Sequence, residues 1–241
     1  MNKPILILQT GDAAPIICKR HGNFDQMFIR LGELAGKHFH CVHVARNERL
    51  QPPRAYAGVV VTGSPAMVTE HLAWSENAAL WLRAAFDARL PIFAVCYGHQ
   101  LLAYALGGEV GDLQQGMEFG TRMITLTPEG SNDPLLVDTP VSFAVNLLHS
   151  QTVLVPPSGT RTLAYSAHDA HQILRYSDCV FSTQFHPEFD GATMSDYVAL
   201  EREKAPTLPP QEATDTPDAL AIMKRFFVAE GFYESTVLYS T

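Results

Sequence analysis

Three short segments carry side chains able to act together on a carbonyl carbon. Pro91-Ile92-Phe93-Ala94-Val95-Cys96-Tyr97-Gly98-His99-Gln100 runs an apolar strand straight into a cysteine and opens a helix directly after it. The small residues Ala94 and Gly98, two before and two after Cys96, suit a tight strand-to-helix turn that lifts a nucleophile to a helix N-terminus. The helix dipole there favours an anion on the side chain. By itself Cys96 reads equally well as a small buried hydrophobe, as most free cysteines are. In Ser182-Thr183-Gln184-Phe185-His186-Pro187-Glu188, His186 and Glu188 end a β run. Residues two apart on an extended chain point to one side, so Glu188 can hold one nitrogen of His186 and leave the other as a base toward Cys96. Alone, His186 reads as a surface histidine at a strand end. Thr62-Gly63-Ser64-Pro65 follows another apolar strand. A backbone N–H there, with that of Tyr97, could bind an oxyanion, and losing one such donor costs roughly 10²–10³ in rate. Alone, this segment is an ordinary turn.

The elements that must position these groups alternate in the first half of the chain. Residues 5–9, 39–44, 58–62 and 91–95 are short apolar runs of the kind that make strands covered on both faces. After a glycine-containing loop, residues 24–34 read as a helix. Trp74, Ala78, Trp81, Leu82, Ala85 and Phe86 recur at helical spacing, and 97–106 is the helix after the cysteine. Alternation implies an α/β fold with a mostly parallel sheet and helices on both faces, whose ligands bind beyond the carboxyl ends of the strands, where 62–65 and Cys96 lie. Between 121 and 184, short β runs at 123–126, 141–148, 163–166, 172–176 and 180–185 suggest a small antiparallel extension and a return to the main sheet. Residues 201–215 read as an exposed loop. A last helix is expected after it, with Thr216 as N-cap, Pro217 and Asp218 in its first turn, and Leu220, Met223 and Phe227 buried.

A chain of 241 residues suits one large domain or two small ones, and a single domain over 1–241 is expected. The formal net charge of −8, with 17 scattered basic residues, disfavours nucleic acid as a partner. The run Ile5-Leu6-Ile7-Leu8 is too short for a signal-peptide core or a membrane span, so the expected location is the cytoplasm and no membrane partner is expected. In that compartment Cys18, Cys41, Cys96 and Cys179 should be thiols. His38, His40 and His43 lie close together, but 38 and 40 alternate with 43 and no carboxylate set accompanies them, so no metal site is expected.

Gly-Ser-Pro, Val-Cys-Tyr-Gly-His-Gln and Gln-Phe-His-Pro-Glu, in this order along the chain, resemble the class I, or triad, glutamine amidotransferases, above all the stand-alone relatives of the GMP synthetase glutaminase domain. The resemblance spans nearly the whole chain and implies a flavodoxin-like fold and a reaction without cofactor. It implies that Cys96 attacks the side-chain amide carbon of glutamine and that His186 moves the proton to leaving ammonia. Glu188 would orient His186, and the Ser64 and Tyr97 amides would bind the oxyanion. Water would then cleave the thioester. It implies substrate contacts at Gly63, Gln100, His149 and Ser150. Gly107-Gly108-Glu109-Val110 and Glu118-Phe119-Gly120 match the stretch after the elbow. The sequence departs from the family at Ala94 and Ser64, where glycine is common, and at His149-Ser150-Gln151, where Gly-Asp often follows the histidine.

Two further readings stand beside this one. The same triad serves γ-glutamyl peptidases and hydrolases, because the acyl half of the substrate is identical. A non-catalytic module keeping the fold would have no need of an intact triad. No GxxxxGK[ST] loop is present, so ammonia put to synthetic use requires an acceptor or synthetase subunit on a separate chain.

Overall fold

The structure is a computed structural model that describes residues 3–34 and 38–232. The strands are β1 (Ile5–Gln9), β2 (Phe39–His43), β3 (Gly58–Val61), β4 (Ile92–Val95), β5 (Glu109–Asp112), β6 (Glu118–Leu126), β7 (Ser142–His149), β8 (Gln151–Val155), β9 (Arg161–Tyr165), β10 (Ile173–Ser177) and β11 (Val180–Thr183). The helices are α1 (Pro15–His21), α2 (Phe24–Leu31), α3 (Ala73–Asp87), α4 (Tyr97–Ala105), the single turn α5 (Pro128–Ser131), α6 (Gly191–Lys204) and α7 (Pro217–Ala229).

Nine strands form one sheet in the order β2-β1-β3-β4-β11-β10-β9-β6-β7. From β2 to β11 every neighbouring pair is parallel, and from β11 to β7 every pair is antiparallel. The antiparallel strands thus continue the main sheet, and β11 belongs to both halves. β5 and β8, which the pattern of apolar residues did not announce, pair in a separate two-stranded sheet.

Alternation along the strands explains the layers. Val60, Phe93, Val95 and Phe181 face a core shared with Phe28, Met223, Phe226 and Phe227, which puts α2 and α7 on that face. Val59, Val61, Ile92, Ala94 and Val180 face Ala78, Leu82, Ala85, Leu101 and Leu102 of α3 and α4 on the other. Each fully buried large side chain of this kind contributes roughly 1.5–3 kcal/mol. Among the described residues, no helix is long and apolar enough to cross a membrane.

Several boundaries depart from the sequence reading. The loop before residue 24 contains α1, started by Pro15 at its first position. α2 ends at Leu31: Gly32 keeps a helical φ of −76° and its N–H donates to the Phe28 carbonyl, and Glu33 at φ 55° then takes the chain out of the helix. Helix α6, capped by Asp190 through the Thr193 N–H at 2.8 Å, takes in residues 201–204, read as loop. Thr216 stands at the N-cap of α7, but its hydroxyl makes no cap bond, and the buried face is Ala219, Ile222, Met223, Phe226 and Phe227, with Leu220 only half-buried.

Candidate active site

β4 ends at Val95, and Cys96 turns the chain into α4 with φ 52° and ψ −106°. A non-glycine residue there costs of order 1–3 kcal/mol and persists only where its surroundings over-determine it. They do so here. The Cys96 N–H donates to the Thr183 carbonyl on β11 at 2.9 Å, and its carbonyl accepts from the Gln100 N–H at 3.1 Å. Two residues on, Gly98 sits against β3 so closely that a Cβ would lie 2.8 Å from both Cγ1 and the carbonyl oxygen of Val61. The thiol therefore stands at the mouth of α4, buried, 3.6 Å from the Leu148 carbonyl oxygen.

The strand beside β4 is β11, with Thr183 level with Val95. Its end delivers the next segment directly past Cys96. The strand stops at Thr183, and residues 186–189 form a turn closed by the Phe189 N–H on the His186 carbonyl at 3.3 Å. His186 and Glu188 thus meet because Pro187 bends the chain between them, not because they alternate on an extended strand. Nδ1 of His186 lies 2.8 Å from Oε1 of Glu188. A carboxylate only accepts, so Nδ1 carries the proton and Nε2 remains for Cys96. Oε2 of Glu188 has no hydrogen-bond partner among the described residues, and both side chains are buried.

Burial alone would lower the basicity of His186. The Glu188 carboxylate outweighs it, joined by the charge of Cys96 and its hydrogen bond, and together they raise the imidazole from 6.5 to about 10. The ring is also clamped, stacking on Phe189 with centroids 4.0 Å apart and on Phe24 at 6.5 Å. Neither aromatic was singled out from the sequence. Phe189 was within reach, since it directly follows Glu188; Phe24 comes from α2, and no local pattern connects it to the site.

Gly63 closes the arrangement. A Cβ on it would stand 2.9 Å from Cε1 of His186 and 3.7 Å from Cβ of Cys96. The Ser64 hydroxyl turns away, donating to the Thr10 carbonyl at 2.9 Å and accepting from the Ala66 N–H at 3.1 Å. The Tyr97 phenol is paired with Ser75 at 2.6 Å. The backbone N–H groups of Ser64 and Tyr97 have no partner among the described residues.

Cys96, Ser64, Tyr97, Gln100, Ser150 and His186 line one cleft of about 620 Å³. His149 lines it too, but both its ring nitrogens point into the protein, Nδ1 to the Gln151 carbonyl at 2.9 Å and Nε2 to Glu118 at 3.0 Å. Glu118, which also accepts from Ser166 at 2.9 Å, is pushed up by burial but held lower overall by His149 and Ser166. Gln100 uses its amide nitrogen on the Gln151 carbonyl at 2.6 Å and on Gln184 at 3.0 Å. Met117, Leu148, Leu200 and Tyr197 extend the cleft as an apolar wall, and Glu201 and Lys204 of α6 stand at its rim. The remaining cysteines lie elsewhere, and burial pushes the Cys41 thiol up to about 12. Among the described residues no cluster of three or more His, Cys, Asp or Glu side chains is arranged to hold a metal.

A cysteine at a strand-to-helix turn, beside a histidine held by a carboxylate, has the geometry that acyl-transferring hydrolases use. Residues 22–202 match the family described as glutamine amidotransferase class-I, and the chain belongs to that family. It is 34% identical over 131 residues to the glutamine-hydrolysing GMP synthase subunit of Saccharolobus solfataricus, a stretch covering 54% of this chain and 66% of that one. Against the GMP synthase of Aeropyrum pernix the identity is 38% over 56% of this chain and 25% of the relative. The chain thus spans less than two thirds of these relatives. It is 24% identical to gamma-glutamyl peptidase 4 of Arabidopsis thaliana over 81% of this chain and 79% of that one. The fold matches a glutamine amido transferase from Methylobacillus flagellatus with a TM-score of 0.75, at 22% identity, over 94% of this chain and 95% of the other.

Proposed function

We propose that this chain, a single domain, releases ammonia from glutamine through a thioester on Cys96. The observation that carries the reading is the buried His186–Glu188 contact of 2.8 Å beside a cysteine held at positive φ. Cys96 attacks the δ-carbon of the side-chain amide with its proton already on His186 Nε2, where the raised imidazole holds it at neutral pH. Charge gathers on the amide oxygen, within reach of the Ser64 and Tyr97 N–H groups. His186 gives the proton to the departing nitrogen as the C–N bond breaks. Glu188 holds the ring in the tautomer both transfers need. Water then cleaves the thioester. A separate synthetase subunit receives the ammonia, a role supported by the glutamine-hydrolysing GMP synthase subunit to which the chain is similar.

A second reading is favoured by the size of the cleft. About 620 Å³ with an apolar wall lies in the range of roughly 300–1,000 Å³ that holds drug-sized ligands, so there is space beyond the amide nitrogen for a bulkier amine. On that reading the substrate is a γ-glutamyl peptide. The deciding experiment compares kcat/KM for glutamine and for a γ-glutamyl dipeptide on one preparation, with Cys96→Ala as control. A higher value for the dipeptide overturns the first reading and leaves the second. Turnover that survives in Cys96→Ala overturns both.

A further inference from the structure

A nearly closed ring of buried polar side chains lies one helical turn below Cys96. Gln100 Nε2 donates to Gln184 Oε1 at 3.0 Å and to the Gln151 carbonyl at 2.6 Å. That carbonyl also accepts from His149 Nδ1 at 2.9 Å, and His149 Nε2 lies 3.0 Å from Glu118 Oε2. Gln172 Nε2 donates to the same Glu118 oxygen at 3.0 Å. The ring lacks only the link between Gln172 and Gln184. These two residues are cross-strand neighbours, joined through the Gln184 N–H and the Gln172 carbonyl at 2.9 Å, one step beyond the Ile173–Thr183 pair. Their side chains therefore share a face of the sheet.

At that gap stand Gln184 Nε2, a donor, and Gln172 Oε1, an acceptor, both fully buried and both without a partner among the described residues. Their identities are fixed, because each amide's other end is held by a group of known polarity. Two such buried groups are rare unless something satisfies them. The occupant must accept from Gln184 and donate to Gln172, which excludes an ammonium ion or any other donor-only or acceptor-only species. A water molecule meets both demands, and buried waters commonly make about three hydrogen bonds.

We propose that Gln172 and Gln184 hold an internal water behind Gln100, whose side chain lines the cleft and bonds Gln184, and that hydrolysis of the thioester draws its water from there while the γ-glutamyl group fills the cleft. This rests on the thioester reading given above. In the step, the water oxygen bonds to the acyl carbon and the carbon–sulfur bond breaks. One water proton passes through His186 to the Cys96 sulfur, and the other remains on the new carboxyl group until release.

The site is tested first in the unaltered chain, by water cross-peaks to the side-chain amides of Gln184 and Gln172 in rotating-frame NMR, assigned with Gln184→Met and Gln172→Met. A long-lived water on the Gln184 amide is expected, and a resolved amide without one overturns the proposal. The kinetic arm uses Gln172→Met. Its first turnover should match the wild type, giving a burst of one ammonia per chain, while later turnovers slow by roughly tenfold and the acyl-enzyme accumulates by mass spectrometry. Equal rates in both phases, or equal slowing of both, overturn the delivery of water. A wild-type chain that forms no acyl-enzyme from glutamine or from a γ-glutamyl peptide overturns the thioester reading instead, and leaves the NMR result to decide the site.

Discussion

Replacing Gly63 by alanine inserts a single methyl group between the proposed nucleophile and base. That methyl would be 2.9 Å from Cε1 of His186, closer than carbon atoms approach, and 3.7 Å from Cβ of Cys96, an ordinary contact. The strain therefore falls on the imidazole or on the Gly63–Ser64 backbone. The imidazole is held by Glu188 at 2.8 Å and by Phe189 stacked at 4.0 Å, so the backbone must share the movement. Either displacement damages the same transition state. Moving the Ser64 N–H is comparable to losing one oxyanion donor, roughly 10²–10³ in kcat, or about 2.7–4 kcal/mol. Misplacing a catalytic group by about 1 Å costs about 10²-fold. A fall of about 10²–10³ in kcat/KM is expected on the better of glutamine and a γ-glutamyl dipeptide. Overpacking destabilises by about 1–3 kcal/mol, which a domain stable by about 5–15 kcal/mol survives. Thermal melts should therefore find Gly63→Ala folded. A folded Gly63→Ala protein with wild-type kcat/KM would refute the placement of this turn beside the reacting atoms.

The pair of His186 and Glu188 should also leave a mark on stability. Because the folded imidazole is raised from 6.5 to about 10, its contribution is complete below about pH 6.5 and is lost as pH rises through about 10. Thermal melts over that window should decline less in Glu188→Gln, and a His186 NMR resonance titrating at or below 6.5 would contradict the ion pair. Peptide mapping after brief iodoacetamide treatment at neutral pH should find Cys96 modified before Cys41, whose thiol burial pushes up to about 12; the opposite order counts against the assignment. Away from the site, Asp133 is buried beneath Arg175, which donates to both carboxylate oxygens. Asp133→Ala should cost about 3–5 kcal/mol in urea unfolding, and a loss under about 1 kcal/mol would mean the guanidinium finds another partner.

The parts of the site that follow from local spacing were readable in the sequence. Ala94 and Gly98 around Cys96 describe a turn that the backbone then adopts at φ 52°. Gly63 follows a strand whose end must lie at the carboxyl edge. His186 and Glu188 were paired correctly, though by way of an extended strand where the chain makes a turn, because Pro187 and the end of β11 at Thr183 are not distinguished by residue type. What escaped depends on contacts distant in sequence. The Phe24 contact with His186 spans two elements, and the partnership of Glu118 with His149 exists only because β6 and β7 pair in a register that sets them opposite each other. Helix α6 was missed for a different reason: its buried side includes Thr193 beside Met194, Tyr197 and Val198, too mixed to stand out as an apolar stripe.

The mixed sheet separates chemistry from substrate fit. β4 and β11 are parallel neighbours, so Cys96 at the end of one and the turn carrying His186 at the end of the other emerge side by side. The hydrogen bond from Cys96 N–H to the Thr183 carbonyl fixes that offset before any side chain is considered. β11 then begins the antiparallel half, whose far strand β7 ends in Leu148 and His149 and leads through Ser150 to Gln151 of β8. These residues line the cleft with Leu200 and Lys204 of α6, and the Leu148 carbonyl reaches the Cys96 sulfur at 3.6 Å. On the proposed thioester reading, an acyl carbon held at Cys96 meets the same groups whatever amine departs. Discrimination between ammonia and a larger leaving group therefore has to be built by β7, β8 and α6, and this chain's departure at His149-Ser150-Gln151 falls on that wall. The imidazole of His149 is tied by both nitrogens to Gln151 and Glu118, so the wall it supports is set by the fold, and exchanging Ser150 or Leu200 alters the cleft's shape without touching the triad.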